Sequence, residues 1–391
     1  MYRLVQRRGI IGLFCLLFVA SSVVPGWAQK DNRFEVSKNL DIFNSLLKEV
    51  EMFYVDSVDV DKTVQRGIEA MLAGLDPYTE YYPEQKTEEL SLMTTGEYGG
   101  IGSLIRQRNN EGGVMIAEPT EGMPADLAGL KPGDLILATD TIDVSKATNS
   151  RVSELLKGVP NTKMVLTIQR PGEKKPRKFE ITRKQITTPQ VTYYGVKNDS
   201  IGYIYLKAFT IKSAQEVKEA FLDLKKNHNI KSLVLDLRGN GGGVLEGAVQ
   251  IVGMFVPKGS EVLSTKGKIK QWDRTYRTST EPLDTVMPLA ILINGGTASA
   301  AEIVSGSLQD MDRAVLVGQR SFGKGLVQAP RDLPYNGKVK ITMSKYYIPS
   351  GRCIQQIDYS HRKEDGSVAA IPDSLTSVFY TSKKRPVRDG G

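Results

Sequence analysis

Cysteine is almost absent from this sequence. The 391 residues include only two, Cys15 and Cys353. Cys15 lies in an amino-terminal apolar run that we expect to be removed, which leaves Cys353 alone and excludes a disulfide within the mature chain. Hydrophobic residues nevertheless make up 40% of the sequence, enough for two or three globular domains.

Long apolar runs are scarce as well. The run at the amino terminus, Ile10–Val24, follows three arginines and precedes the small residues Gly26 and Ala28. This order predicts a signal peptide, residues 1–28, cleaved after about Ala28, and therefore an exported protein that is periplasmic or secreted. An uncleaved membrane anchor is the alternative, but about 15 apolar residues are fewer than the roughly 20 that span a bilayer.

Neither sign of charge dominates. The formal net charge is +8, from 52 Lys and Arg against 44 Asp and Glu, and three of the positive charges belong to the predicted leader. No stripe of interleaved basic and aromatic residues is present, so we predict no nucleic-acid partner.

Most of the chemistry is concentrated in residues 290–328. The apolar run Ala290–Ile293 predicts a buried strand that stops at the turn residues Asn294–Gly296. Small and apolar residues at helical spacing follow, so Ser299 lies where the strand becomes a helix. A nucleophile gains most at such a place, because free backbone N–H groups and the positive end of the helix dipole face any anion formed beside it.

A serine nucleophile needs a base, and histidine, the usual one, is scarce here. The two histidines, His228 and His361, lie in polar segments where solvation is the ordinary role. A Ser-His-Asp triad is therefore disfavoured, and lysine is the remaining candidate. Lys324 lies between glycines and apolar residues, where lost hydration lowers the pKa of an amine and lets it accept a proton. Ser-Lys pairs are an established variant of the triad.

Three segments, Thr297–Glu302, Leu308–Asp310 and Phe322–Gln328, resemble the carboxyl-terminal processing peptidases of the S41 serine peptidase family. The resemblance implies that Ser299 is the nucleophile and Lys324 the general base. It also implies that Gln328, four residues further along the same strand face, holds the lysine in place. Ala301 stands where the family usually has a second serine that is not the nucleophile.

Four glycines follow the predicted buried strand Ser232–Arg238. They are Gly239 and the consecutive Gly241–Gly243, with Asn240 between them. Consecutive glycines let a backbone N–H point inward without side-chain obstruction, as an oxyanion hole requires. In the family this pattern supplies one oxyanion donor. We assign that donor to Gly243, with Gly242 as the near alternative, and the second donor to the N–H of Ala300.

The segment Gly318–Lys324 fits most of a phosphate-binding P-loop. It fails at its end, because Gly325 replaces the Ser or Thr that would bind magnesium, and the residues that follow predict a strand where a P-loop requires a helix. Nucleotide binding is therefore a weak alternative.

Residues 96–186 resemble a PDZ domain, with the signature Pro124–Asp134. Glycine lets the backbone approach an anion closely, and an extended peptide can add to the edge of the next strand, Ser103–Ile105. A helix over Ser150–Leu156 should line the other side of the groove. The expected carboxylate-binding loop consists of Gly99, Gly100, Ile101 and Gly102.

Together these observations predict an α/β (α+β) fold in four parts: the signal peptide 1–28, a helical region 34–90, the PDZ domain 96–186 and a peptidase core 190–391. The resemblance implies a core of the ClpP/crotonase-like kind. It also implies further elements after Gly391, so we expect the sequence to be truncated there.

The function predicted is that of a serine endopeptidase that acts on proteins with exposed C-terminal tails and needs no metal or cofactor. Membrane-proximal substrates, a homo-oligomer and an adaptor protein stay open as further partners. The alternative is a non-catalytic PDZ-type scaffold that binds peptides, although such a protein should have lost Ser299 or Lys324.

Overall fold

The computed structural model describes residues 33–108, 112–370, 372 and 376–391. The predicted signal peptide lies outside these residues. The chain divides into two units, Met1–Ala70 and Met71–Gly391. No helix within the described residues is both long and apolar enough to cross a membrane.

The described residues contain eight α-helices: α1 (Arg33–Phe53), α2 (Val60–Ala73), α3 (Thr87–Thr95), α4 (Pro124–Leu127), α5 (Asn149–Leu156), α6 (Ser213–His228), α7 (Leu245–Gly253) and α8 (Ala300–Asp310). In the first unit, α1 buries none of its own residues.

The strands of the described residues all lie in the second unit: β1 (Glu80–Tyr82), β2 (Glu97–Gly100), β3 (Ser103–Gln107), β4 (Val114–Pro119), β5 (Leu135–Thr139), β6 (Ile142–Asp143), β7 (Lys163–Gln169), β8 (Arg177–Thr182), β9 (Lys184–Thr187), β10 (Val191–Lys197), β11 (Ile201–Leu206), β12 (Ser232–Asp236), β13 (Glu261–Gly267), β14 (Arg274–Arg277), β15 (Leu289–Ile293), β16 (Val315–Gly318), β17 (Leu326–Asp332), β18 (Lys338–Tyr347), β19 (Val378–Tyr380) and β20 (Pro386–Arg388).

An antiparallel sheet with the strand order β3-β4-β5-β7-β8, and with β6 also paired to β5, forms the core of the predicted PDZ region, while β2 pairs separately with β9. Buried and more exposed residues alternate along the strands of this sheet, as expected when one face is covered. In β7 the buried residues Met164, Leu166 and Ile168 alternate with partly exposed ones. Helix α5 starts where the Thr148 side chain accepts the N–H of Arg151 at 3.3 Å. The helix expected over Ser150–Leu156 is thus confirmed, beginning one residue earlier.

The second core is a sheet with the order β10-β11-β12-β15-β16, in which β11, β12, β15 and β16 run parallel and β10 is an antiparallel edge. The central strands bury one face completely and the other in part. Ile204, Leu235 and Ile291 lie opposite one another across β11, β12 and β15 and are each 0% exposed, while most of the residues between the buried ones are partly exposed. The carboxyl ends of β12, β15 and β16 meet at one edge, which is where open α/β sheets place their functional loops. The predicted α/β class is confirmed.

An antiparallel sheet, β1-β18-β13-β14 with β17 also paired to β18, completes the second unit. Strand β17 directly follows the loop that carries Lys324. The strand predicted there is confirmed, and the helix that a P-loop would need is not formed.

The pair formed by Asp310 and Arg352 is the most deeply buried ion pair among the described residues, with side chains 0% and 8% exposed and an N–O distance of 3.0 Å. Burial is the largest influence on both groups. It raises the pKa of Asp310 and lowers that of Arg352. Removing one partner of such a pair leaves an uncompensated buried charge.

We therefore expect Arg352→Met to lower the free energy of unfolding by about 3–5 kcal/mol, measured by urea denaturation. As a control, Arg151 forms a pair with Glu154 in which both side chains are half or more exposed. Arg151→Met should change the free energy by less than about 1 kcal/mol. Equal effects of the two substitutions would contradict the prediction.

Candidate active site

Ser299 lies at the turn between β15 and α8, where the sequence places it. Its backbone has φ +56° and ψ −116°, a conformation that L residues rarely adopt. Such strain costs on the order of 1–3 kcal/mol and persists only where the surrounding contacts impose it. Here the contact is Thr297, whose side chain accepts the Asn294 N–H at 2.9 Å and donates to Leu237 O at 2.8 Å. The turn is thereby fastened to the end of β12.

The glycine loop after β12 lies directly against this turn. Asn240, which is 0% exposed, aligns the two segments. Its side-chain Oδ1 accepts the Gly242 N–H at 2.9 Å, and its backbone carbonyl accepts the Ala298 N–H at 2.9 Å. Gly242 has φ +93°, and a Cβ there would lie 2.8 Å from the Cβ of Ser299. Glycine is therefore required beside the predicted nucleophile.

Two backbone donors next to Ser299 have no acceptor among the described residues, the N–H groups of Gly243 and Ala300. They are the pair assigned as oxyanion donors. The near alternative, Gly242, donates its N–H to Asn240, so this group is already engaged. The buried Asn240 side chain therefore engages the Gly242 N–H and leaves the Gly243 N–H as the available donor.

Lys324 lies in the loop between β16 and β17, and its side chain is partly buried. Its Nζ is 4.2 Å from the ring centroid of Tyr78. Loss of hydration, with a smaller repulsion from the Lys340 ammonium, lowers the pKa of Lys324 to about 8. About a tenth of such a group is neutral at pH 7, which an ordinary lysine does not approach. This is the effect that the sequence predicted.

Glu302 links the segments that carry Ser299 and Lys324. Its carboxylate accepts the N–H groups of Ser299 at 2.7 Å, Gly323 at 2.7 Å and Lys324 at 2.9 Å. The side chain is 1% exposed. Burial raises the pKa of Glu302, while these backbone hydrogen bonds oppose the shift because they favour the carboxylate.

Tyr346 forms a second link between the same two segments. Its hydroxyl lies 2.6 Å from Lys324 O and 3.2 Å from Ser299 O, positioned to donate to either carbonyl. Burial raises the pKa of Tyr346 well above its ordinary value, which keeps the hydroxyl protonated as a donor. The backbones at residues 299 and 324 are thus held together by two buried side chains.

The two side chains of the predicted dyad are not hydrogen-bonded to each other: within the described part of the chain no such bond joins Ser299 Oγ to Lys324 Nζ. Gln328 donates from Nε2 to Thr342 Oγ1 at 3.1 Å and makes no hydrogen bond to Lys324. The role of Gln328 in holding the lysine therefore stays a prediction.

The PDZ loop has the backbone geometry of an anion site. Gly99 and Gly100 end β2, Ile101 is 3% exposed, and Gly102 has φ +67°. No described residue accepts the N–H groups of Ile101 and Gly102. Nearby, Glu97 forms an ion pair with Lys212 of the core, which lowers the pKa of Glu97 and offsets its negative charge.

Sequence reasoning missed Asn240, Glu302, Tyr346 and Tyr78. For Glu302 a signal was present, since Ser299-x-x-Glu302 has the spacing of a helix capping box. The other three are brought to the site by packing between distant segments, which periodicity does not reveal. His228 and His361 are both exposed, and no described cluster of three or more His, Cys, Asp or Glu could hold a metal ion.

Comparison with known proteins identifies two domains. Residues 200–360 match the family model described as peptidase family S41, and residues 115–170 match a PDZ domain. A carboxy-terminal-processing protease of Bartonella bacilliformis is 36% identical over 345 residues, covering 88% of this chain and 77% of the relative. A probable CtpA-like serine protease of Staphylococcus aureus is 33% identical over 320 residues, covering 81% of this chain and 62% of the relative.

Among solved structures, the photosystem II D1 C-terminal processing protease is similar to this chain. It is 28% identical with a TM-score of 0.43, and the match covers 84% of each chain.

Proposed function

Because the chain belongs to the carboxy-terminal-processing proteases of peptidase family S41, we propose that Ser299 and Lys324 form its catalytic dyad and that its PDZ domain presents C-terminal tails of substrate proteins. As members of this family are serine peptidases, the reaction is hydrolysis of peptide bonds. The observation that carries the assignment is the pair of side chains, Glu302 and Tyr346, that hold the two residues next to each other.

In the proposed mechanism Ser299 Oγ attacks the scissile carbonyl carbon while the neutral amine of Lys324 takes the hydroxyl proton. The N–H groups of Gly243 and Ala300 stabilise the resulting oxyanion. The ammonium of Lys324 then donates its proton to the leaving amine, which yields an acyl-enzyme. A water molecule deprotonated by Lys324 hydrolyses this ester and restores Ser299.

A hydrogen bond between Ser299 Oγ and Lys324 Nζ has to form before the proton can transfer. Catalytic hydrogen bonds are often long in free enzymes and shorten when substrate binds. The low pKa of Lys324 supports its role in this step, because only the neutral amine can accept a proton.

For substrate capture, we assign the terminal carboxylate of the tail to the N–H groups of Ile101 and Gly102. The tail would extend along β3, which is an edge of its sheet and can accept a further strand. The ion pair of Glu97 with Lys212 supports this assignment, since an unpaired Glu97 would repel a carboxylate.

We also propose that the protein is exported, with residues 1–28 removed. This proposal rests on the leader pattern of the sequence.

A test uses the chain from residue 29 onward and an unfolded reporter protein with an apolar carboxyl terminus, supplied with either a free or an amidated terminal carboxylate. We expect cleavage of the free form and a KM about 10-fold or more higher for the amidated form, because the hydrogen bonds to a charged group are lost. KM is measured with both substrates, and a chelator is added as a control.

Equal KM values would contradict tail recognition by the PDZ loop. Binding of the tail without cleavage would instead support the peptide-binding scaffold and overturn the proposed mechanism.

A further inference from the structure

The turn that precedes β1 is built rigidly beside the predicted base. Asp76, which is 7% exposed, accepts the N–H groups of Tyr78 and Thr79, each at 2.8 Å, and the Thr79 hydroxyl at 3.0 Å. The next three residues pair with β18, with Glu80 opposite Lys340. The turn is therefore fixed by its own hydrogen bonds and by a sheet.

Tyr78 uses this rigid support to place its ring against Lys324. The Nζ atom lies 4.2 Å from the ring centroid. Tyr78 also meets Tyr359 edge to face, with ring centroids 6.0 Å apart at 90°, and the two hydroxyls are 3.4 Å apart. The backbone turn and Tyr359 together hold the Tyr78 ring in one orientation.

The same turn reaches Gln328. Thr79 Oγ1 accepts the Thr342 N–H at 3.1 Å, and Thr342 Oγ1 accepts from Gln328 Nε2 at 3.1 Å. Two of the predicted catalytic residues, Lys324 and Gln328, are thus supported by consecutive residues of a single turn.

An aromatic ring acts on an ammonium in two opposite ways. Its face attracts the cation, and its bulk removes water that would hydrate the cation more effectively. The charged groups around Lys324 are Lys340 on β18, Asp76 before β1, Glu80 on β1 and Glu302 on α8. Lost hydration is the largest influence and lowers the pKa of Lys324, Lys340 lowers it further, and the three carboxylates oppose this shift. Because the Tyr78 ring lies against the amine, it contributes to the loss of hydration.

We propose that Tyr78 is a positioning residue for Lys324: its ring packs against the amine, fixes its place in the site and shields it from water, so that the neutral base is available. This inference rests on the proposed function, in which Lys324 is the general base. Tyr78 acts through the lysine amine that its ring contacts and exchanges no proton itself.

The test measures Lys324 without relying on cleavage. In a Ser299→Ala background, acetic anhydride labels neutral amines, and mass spectrometry follows the labelling of Lys324 as a function of pH. We expect Tyr78→Ala to raise the midpoint by about one unit or more, and Tyr78→Phe, which keeps the ring, to leave it within about 0.3 units. Tyr335→Ala, at a tyrosine that is 95% exposed, is the matched control.

In the protein with Ser299 intact, Tyr78→Ala should lower kcat/KM about 10-fold at pH 7 and much less above pH 10, where the lysine is neutral in both proteins. A purely structural role would lower kcat/KM equally at all pH values, and that result would overturn the proposal. So would an unchanged labelling midpoint.

If Tyr78→Ala does not fold, Tyr78→Leu keeps apolar bulk without the π face. Its labelling midpoint should stay at or below that of the unmodified protein, and a raised midpoint would overturn exclusion of water as the cause. Absence of any cleavage by the unmodified chain would refute the proposed function, while the labelling experiment would still report on Tyr78.

Discussion

Replacement of Ser299 by alanine is expected to lower kcat/KM for an unfolded protein substrate by about 10⁴-fold or more. The substitution removes the Oγ atom that forms the acyl-enzyme, while the donors at Gly243 and Ala300 remain and can supply only residual stabilisation of the transition state. The fold should persist, because the side chains of Glu302 and Tyr346 bond to the backbone N–H and carbonyl of Ser299, which the substitution keeps. Cleavage rates and thermal denaturation of the two proteins check both statements.

Ser305 provides a matched control in the same helix. Its hydroxyl donates to Ala301 O at 2.9 Å and is buried. Ser305→Ala should alter stability slightly and leave kcat/KM within about 2-fold, since neutral hydrogen bonds contribute about 1 kcal/mol. If Ser299→Ala retained more than about 1% of the activity, the nucleophile would have to be a different group.

Replacement of Lys324 by arginine should lower kcat/KM by about 10³-fold or more. A guanidinium stays protonated in proteins and does not act as a base, although it keeps the positive charge of lysine. Lys324→Met, which keeps the length and removes the charge, should be equally inactive. Lys338→Arg on the neighbouring strand β18 is the control, because the Lys338 side chain bonds to Asp332 outside the site.

The pH dependence of kcat/KM in the unmodified enzyme also follows from the protonation of Lys324. Below about pH 8 most Lys324 side chains are ammonium and cannot accept the serine proton. As pH rises toward 8, kcat/KM should therefore increase about tenfold per unit, and it should level off above 8. An activity that falls with pH across this range, or an active Lys324→Arg enzyme, would exclude lysine as the base.

Much of the site could be predicted because its residues lie in short local patterns. Apolar residues ending in Asn294–Gly296 predicted a strand and a turn, and the helix expected after Ser299 is observed as Ala300–Asp310. Helix α6 extends to His228, where Asn229 ends it in a left-handed conformation. Boundaries of this kind depend on the cap residue rather than on apolar periodicity.

The sequence alone determined the chemistry: a serine at a strand-to-helix turn, a lysine between glycines and a glycine run after a strand. Each of these depends on neighbours within a few residues, so local patterns suffice to find them. Only the tertiary structure decided which glycine N–H is free, what joins Ser299 to Lys324 and what covers the lysine amine. Glu302, Tyr346 and Tyr78 act through contacts between segments distant in the chain. The bond from Asn240 to Gly242 is local, but the Asn240 side chain is itself held by Leu206 O on β11. The burial that lowers the pKa of Lys324 exists only after those segments have packed together.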